Sequence, residues 1–138
     1  MTDRLEEAQG YFTRFFAPWI VDLGLQARSF DETGGLFVLP ENPRLVHGGG
    51  VICGQATSSA ADTCMVVTLA VLNGRFRMCT TVDLSTHFVR ALKPGAVDIR
   101  VDLLSNGRRM AYGRIDMRQA GDSRVAVTAT TSVMYLED

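Results

Sequence analysis

One carboxylate stands in the middle of an otherwise uncharged stretch of small and apolar residues. Asp62 is the only charged residue between Cys53 and Leu72. Burying a carboxylate in such surroundings is costly unless it has hydrogen-bonding partners. The residues alone leave two interpretations open. Asp62 is either a structural group held by a nearby Ser, Thr or backbone atom, or a general base.

Gly54 lies eight residues before Asp62, at the start of the same stretch. The first N–H groups of a helix have no intrahelical acceptor, and the helix dipole favours negative charge there. Such an N–H can stabilise the oxyanion that forms when a carbonyl is attacked, although glycine is also a common entry to a helix. Eight residues of helix span about 12 Å, so one chain cannot place both groups around one carbonyl. We therefore expect a homodimer in which Asp62 of one subunit faces Gly54 of the other.

The elements that must position these groups follow from hydrophobic periodicity. Residues 53–72 predict one long helix that is buried on all sides, because no face of it is charged except at Asp62. Residues 4–17 predict a short amphipathic helix that Pro18 ends. Residues 21–29 and 35–39 predict two strands, and an irregular stretch containing two prolines and three successive glycines, 40–50, follows them.

The second half of the chain predicts four antiparallel strands over 78–89, 97–103, 109–118 and 124–135. Turn sequences join them: Lys93-Pro94-Gly95, Asn106-Gly107 and Gly121-Asp122. Alternation in the first of these strands places Val82, Leu84 and Phe88 on one side. It places Thr81, Asp83, Ser85 and His87 on the other, with His87 an exposed strand residue. The prediction is an α+β single domain over 1–138 with its N-terminal helix within 1–18.

Composition excludes several classes of protein. The chain has 138 residues, of which 46% are hydrophobic and 21% charged, which is typical of one globular domain. A net charge of −1 argues against nucleic-acid binding, and no apolar run reaches the ~18 residues of a membrane helix. The acidic, polar start does not resemble a signal peptide. Three cysteines without a CxxC pair, and only two histidines, favour reduced thiols in a cytoplasmic protein over disulfides or a zinc site.

Five short segments together resemble the PaaI-like acyl-CoA thioesterases, over nearly the whole chain after about residue 20. They are His47-Gly48-Gly49-Gly50, Gly54-Gln55, Ala61-Asp62-Thr63, Thr81-Val82-Asp83-Leu84 and Lys93-Pro94-Gly95. The resemblance implies the hotdog fold, in which an antiparallel sheet curls around one central helix. It also implies hydrolysis of an acyl thioester of CoA, or of an acyl carrier, without a cofactor, in a homodimer that pairs into a dimer of dimers. Asp62 would be the general base, or the nucleophile that forms a mixed anhydride.

The resemblance departs from the family pattern at one position. Relatives carry His-Gly-Gly at the helix start, with the carboxylate nine residues after the histidine, but the residue nine after His47 is Ala56. Aligning on Asp62 and Thr81 instead places Cys53-Gly54-Gln55 at the family's His-Gly-Gly. His47 then takes the position of an Asn or Gln that binds water or the carbonyl, and Thr81 that of a hydroxyl supporting the nucleophilic water. Cys53 as a nucleophile is disfavoured, because no histidine is securely placed beside it.

Basic residues in two connections are candidates for binding the CoA phosphates, with solvated surface charge as the alternative: Arg90, Lys93, Arg108 and Arg109. Two other functions stay open. A hotdog hydratase or dehydratase relies on a histidine with an acid, but this chain lacks the dehydratases' His-Phe-Pro context. A non-catalytic acyl-CoA-binding module would keep the pocket without hydrolysis.

Overall fold

The computed structural model describes residues 3–137, in which six antiparallel strands form one sheet that packs around a long helix. The helices are α1 (Arg4–Arg14), α2 (Pro18–Val21) and α3 (Gly54–Leu72), with a 3₁₀ turn at Pro43–Leu45. The strands are β1 (Gln26–Phe30), β2 (Gly34–Leu39), β3 (Cys79–Phe88), β4 (Val97–Asn106), β5 (Met110–Gln119) and β6 (Val127–Tyr135). Their order in the sheet is β1-β2-β4-β5-β6-β3. The predicted α+β hotdog arrangement is confirmed.

The central helix has nearly the bounds predicted for it, and it is buried on every side but one. Its Thr63 and Thr68 hydroxyls donate to the carbonyls of Ser59 and Cys64 one turn earlier, which satisfies polar groups that would otherwise be buried without partners. One face of α3 stays partly open, so the prediction that this helix is buried on all sides was wrong for that face. That face carries Gln55, Ser58, Ser59, Asp62 and Val66.

Alternation in the last strands produces the wall against which this helix packs. Val97, Ile99 and Val101 of β4 are fully buried, as are Ile115 and Met117 of β5. The opposite side of the sheet carries ion pairs, among them that of Arg100 with Asp31 at 3.0 Å. The predicted half-buried strands are therefore confirmed, with their apolar side toward α3.

The first helix and the first strand differ from the prediction. α1 ends at Arg14, and Pro18 begins α2 instead of ending α1. Proline suits the first turn of a helix, because its missing N–H would have no acceptor there. The predicted strand over 21–29 begins only at Gln26, since Val21 still belongs to α2 and Gly24, at a φ of 71°, makes the turn that follows.

A bulge in β3 reverses its alternation. Thr81 pairs with Val133 and Asp83 with Ser132, so Val82 has no partner residue in β6. An extra residue in one strand shifts the following side chains to the opposite face. Thr81 therefore points toward α3. His87 is exposed, as predicted. The prediction that Thr81 and His87 lie on the same side of the strand was wrong. Val82, expected beside Leu84, is 55% exposed at the bulge, whereas Phe88 stays on the side of Leu84 and is 58% exposed at the end of the strand.

The two edges of the sheet differ in what contacts them. At the β1 edge, the Gln9 side chain on α1 accepts a hydrogen bond from the Ala27 N–H at 2.9 Å. Within residues 3–137 no element pairs with the outer edge of β3, which is ten residues long. An open edge of this length is a template for pairing with another strand.

No helix in this part of the chain combines the length and apolar content needed to cross a bilayer.

The start of β2 gives a test of this packing. A Cβ at Gly34 would overlap the carbonyl oxygen of Val101 on β4, whereas a Cβ at Gly48 would meet nothing within 4 Å. Gly34→Ala should lower the free energy of unfolding in urea by about 1–3 kcal/mol, the usual cost of overpacking. Gly48→Ala should change it by less than about 0.5 kcal/mol. Equal unfolding midpoints for the two variants would contradict this register of β2 and β4.

Candidate active site

Asp62 and Thr81 form the polar centre of the open face of α3. The Thr81 hydroxyl donates a hydrogen bond of 2.6 Å to Oδ1 of Asp62. The bulge at Val82 makes this contact possible, because it turns Thr81 toward the helix. Within residues 3–137 the second carboxylate oxygen, Oδ2, has no hydrogen-bond partner. A half-exposed carboxylate with one fixed and one free oxygen is suited to bind and deprotonate a water molecule.

Cys79 lies beside this pair and was not singled out from the sequence. Burial raises the pKa of the Cys79 thiol, and the negative charge of Asp62 raises it further, whereas Arg77 lowers it. Burial alone raises the pKa of the Cys64 thiol well above its usual range. Both groups are therefore thiols at neutral pH, so neither supplies a thiolate nucleophile to the site.

The N-terminus of α3 presents free hydrogen-bond donors. Cys53 precedes the helix without capping it through its side chain, and no acceptor within residues 3–137 contacts the backbone N–H of Gly54 or Gln55. The entry to the helix is held from two sides: the Cys53 N–H donates to the Leu45 carbonyl at 2.9 Å, and the Ile52 N–H donates to the Leu92 carbonyl at 2.8 Å. Two adjacent N–H groups on a fixed backbone are the kind of donor pair that stabilises an oxyanion.

The three successive glycines form a turn that orients His47. The Gly50 N–H donates to the His47 carbonyl at 2.9 Å, and Gly50 has a φ of 84°, a conformation that favours glycine. The Gly49 N–H donates to Nδ1 of the His47 ring at 2.8 Å, and a Cβ at Gly49 would lie only 2.7 Å from that ring. Because Nδ1 accepts, the neutral ring carries its proton on Nε2 and offers it as a donor.

Two clefts flank the N-terminus of α3. The first, which we call the β3-side cleft, has a volume of about 290 Å³ and is lined by His47, Gly54, Phe88, Arg90 and Leu92 among others. The second, the α2-side cleft, has about 310 Å³ and is lined by Trp19, Leu23, Arg44, Cys53 and Gln55 among others. The predicted site residues at this end of the helix therefore divide between two sides of the same helix turn.

The remaining predicted residues lie elsewhere. Lys93 and Arg90 line a third cleft of about 280 Å³, which adjoins the β3-side cleft at Arg90 and Ala91. Arg108 and Arg109 belong to the β4–β5 hairpin beside the C-terminal end of α3, where the Arg77 guanidinium donates to the Arg108 carbonyl at 2.9 Å. They are thus separated from Arg90 and Lys93 by roughly the length of α3, about 27 Å for 19 residues.

Phe88 is a site residue that sequence reasoning missed. A Cβ at Gly54 would lie 3.2 Å from the Phe88 ring, so glycine permits the close approach of this edge strand to the helix start. Phe88 lies four residues after Leu84 in a regular stretch of β3, so its ring faces the start of α3 on the predicted side and lines the β3-side cleft. Within residues 3–137, no three His, Cys, Asp or Glu side chains converge in a way that could hold a metal ion.

Comparison with known proteins identifies relatives of this chain. The family described as the acyl-CoA thioesterase N-terminal domain matches residues 41–134. Among solved structures, the chain is similar to thioesterase HI1161 of Haemophilus influenzae, with 18% identity, a TM-score of 0.85 and coverage of 99% of this chain and 93% of that one. It is also similar to conserved protein PA5202 of Pseudomonas aeruginosa, with 25% identity, a TM-score of 0.78 and coverage of 90% and 99%.

A thioesterase family protein from Silicibacter pomeroyi has 17% identity, a TM-score of 0.83 and coverage of 99% and 100%. No curated protein matches the chain at a significant level. The structural likenesses extend over almost the whole chain and establish its fold, while the family match covers both the start of α3 and the Asp62–Thr81 pair.

The placement of Asp62 beside Cys79 can be tested without a substrate. In a Cys53→Ser background, Asp62→Asn removes the charge that raises the pKa of Cys79. Burial still raises the pKa of the thiol, but a larger fraction is ionised at pH 8 without this charge, so a thiol reagent should label Cys79 faster. Asp98→Asn, which neutralises an exposed carboxylate on β4, is the matched control and should leave the rate unchanged. The same labelling rate with and without the Asp62 charge would contradict this geometry.

Proposed function

We propose that this chain, which belongs to the acyl-CoA thioesterase N-terminal domain family, hydrolyses an acyl-CoA thioester to a free acid and CoA. One observation carries the proposal most strongly. The only partly open face of an otherwise buried helix holds a carboxylate that is hydrogen-bonded to Thr81 at 2.6 Å. Oδ1 is held by this hydrogen bond, and Oδ2, which has no partner among residues 3–137, can bind a water molecule.

A complete site needs two chains. Gly54 and Asp62 are separated by about 12 Å along α3, which is too far for both to contact one thioester group. The open face of α3 and the unpaired edge of β3 lie on the same side of the molecule, since Thr81 and Asp62 join them. A second copy that pairs at this edge by a two-fold axis would set the helices antiparallel. Asp62 would then face Gly54 of the partner subunit.

The chemistry in such a site has two routes. In the first, Asp62 takes a proton from a water molecule whose oxygen attacks the carbonyl carbon; the C–S bond then breaks and the proton passes to the departing thiolate. In the second, Oδ2 attacks the carbonyl carbon directly, the thiolate leaves, and water hydrolyses the resulting mixed anhydride. In both routes the oxyanion receives hydrogen bonds from the Gly54 and Gln55 N–H groups of the partner subunit.

Neighbouring residues support this assignment. The Nε2–H of His47 is a donor in the cleft that Gly54 also lines, which suits the carbonyl-binding position implied by the family resemblance. Arg90 and Lys93 carry positive charge next to that cleft and would bind CoA phosphates. In an antiparallel pair, the hairpin with Arg108 and Arg109 approaches the N-terminal end of the partner's helix, so these two residues would contribute from the other subunit.

A thiol-release assay with a panel of acyl-CoA thioesters and no added cofactor tests the proposed reaction. Release of CoA thiol with turnover is the expected result. A hydratase would change the acyl group without releasing thiol, and a binding module would bind the panel without changing it. Either result would replace the proposed function.

The role of the carboxylate gives a direct prediction. Asp62→Asn should lower kcat by at least ~10²-fold, the scale of a lost acid–base group, while the fold and acyl-CoA binding persist. Asp98→Asn removes an equally sized charge from the opposite side of the sheet and should keep normal turnover. Near-normal kcat in Asp62→Asn would show that this carboxylate is structural.

The shared site gives a second prediction. Gly54→Val should block the partner-facing donors, because even a Cβ there meets the Phe88 ring at 3.2 Å. Homodimers of Gly54→Val and of Asp62→Asn should each be nearly inactive. After subunit exchange, each heterodimer combines both defects in one site and leaves the other intact, so it should recover about half of wild-type activity.

With half of the dimers mixed, total activity should approach about a quarter of wild type under this two-fold geometry. Circular dichroism and size-exclusion chromatography of each variant before mixing serve as controls for folding and association. Mixtures that exchange subunits yet recover no activity would contradict the shared site, and Asp62 would then have to act with groups of its own chain.

A further inference from the structure

We propose that the α2-side cleft binds the acyl group of the substrate and that Trp19 forms an apolar surface against which that group packs. The inference rests on the proposed thioesterase function, because it concerns the same thioester. A thioester carbonyl held at the N-terminus of α3 has two arms, the acyl group and the pantetheine arm of CoA. The helix start separates two clefts, with Gly54 lining one and Cys53 and Gln55 lining the other. The acyl group and the pantetheine arm can therefore occupy different clefts.

Charge assigns the CoA arm to the β3 side. The β3-side cleft adjoins the third cleft at Arg90 and Ala91, and this third cleft also contains Lys93, Arg124 and Asp122. Arg124 and Asp122 form an ion pair of 2.9 Å, which leaves Arg90 and Lys93 as an excess of positive charge. Phosphates are attracted to such an excess, so the nucleotide end of CoA fits here.

The α2-side cleft differs from the β3 side in charge, since it has no excess of positive side chains. Its apolar lining comes from Trp19, Leu23, Leu45 and Ala56, and Asn42 and Gln55 add uncharged polar groups. The two charged residues at the cleft, Asp22 and Arg44, are opposite in sign, so the lining carries no net charge that would favour an acyl group with a charged end. An apolar pocket with a few polar groups is the usual form of a site for an uncharged ligand. The occupant of this cleft is therefore an uncharged acyl chain or a single aromatic ring.

The size of the cleft limits this occupant. A volume of about 310 Å³ is at the lower end of the range of ligand pockets, roughly 300–1,000 Å³. Trp19 lies on the four-residue helix α2 and is 59% exposed, so its ring gains little from packing within the chain. An acyl chain lying against the indole would bury apolar surface on both partners. We expect the preference to rise from acetyl to about six or eight carbons and then to stop.

A kinetic panel of straight-chain acyl-CoAs from two to twelve carbons tests the assignment. In the wild type, kcat/KM should rise about fourfold per methylene up to that limit, since one buried methylene is worth about 0.8 kcal/mol. Trp19→Ala should lower kcat/KM for hexanoyl- and octanoyl-CoA by about tenfold or more and change acetyl-CoA by less than about twofold. Tyr112→Ala, which removes an exposed aromatic ring from the other side of the sheet, is the matched control and should leave the profile unchanged.

A second measurement locates the acyl group without turnover. A thioether analogue of octanoyl-CoA with a diazirine at the end of the chain should label the segments 19–23 and 44–45 on irradiation. Labelling of 88–92 instead, or no labelling of the two α2-side segments, would overturn the assignment. So would a loss in Trp19→Ala that is equal for all chain lengths. If no acyl-CoA is hydrolysed, the proposed function fails, and the site of labelling still decides where the acyl group binds.

Discussion

The fixed rise of one helix is the constraint on which the rest of the structure depends. α3 carries the free N–H groups of Gly54 and Gln55 at its start and the carboxylate of Asp62 about 12 Å further along. The packing of six strands around this helix makes it rigid, so the two groups cannot approach each other within one chain. Within residues 3–137, one face of this helix and the β3 edge of the sheet stay open. The proposed active site lies where those two open surfaces would meet a second copy.

Local features of the backbone position the groups that the helix alone could not position. The bulge at Val82 turns Thr81 toward Asp62, and the glycine turn after His47 holds the imidazole by Nδ1 and leaves Nε2–H as a donor. Two loops hold the entry to α3 through the hydrogen bonds of Ile52 and Cys53. Each device uses backbone geometry, so it fixes side chains without depending on the chemistry of the substrate.

Much of the fold could be predicted from the sequence because burial leaves a clear pattern. The absence of charge around α3 predicted its bounds to within one residue, and the alternation in β4 predicted its buried side. Patterns at the chain start were weaker: Pro18 is compatible with either end of a helix, and the apolar residues before Gln26 pack in a helix and turn instead of a strand. The bulge in β3 has no sequence signal of its own, since Val82 suits an ordinary strand position. It decides where Thr81 points relative to Leu84, so the alternation of β3 alone could not place Thr81 beside Asp62.

The central claim is that one thioester is held between two chains. A crystal structure of the protein with a nonhydrolysable acyl-CoA analogue tests it most directly. The account predicts the carbonyl oxygen within hydrogen-bond distance of the Gly54 N–H of one subunit and the carbonyl carbon facing the Asp62 carboxylate of the other. A carbonyl contacted by both groups from one chain, or bound away from the start of α3, would contradict it.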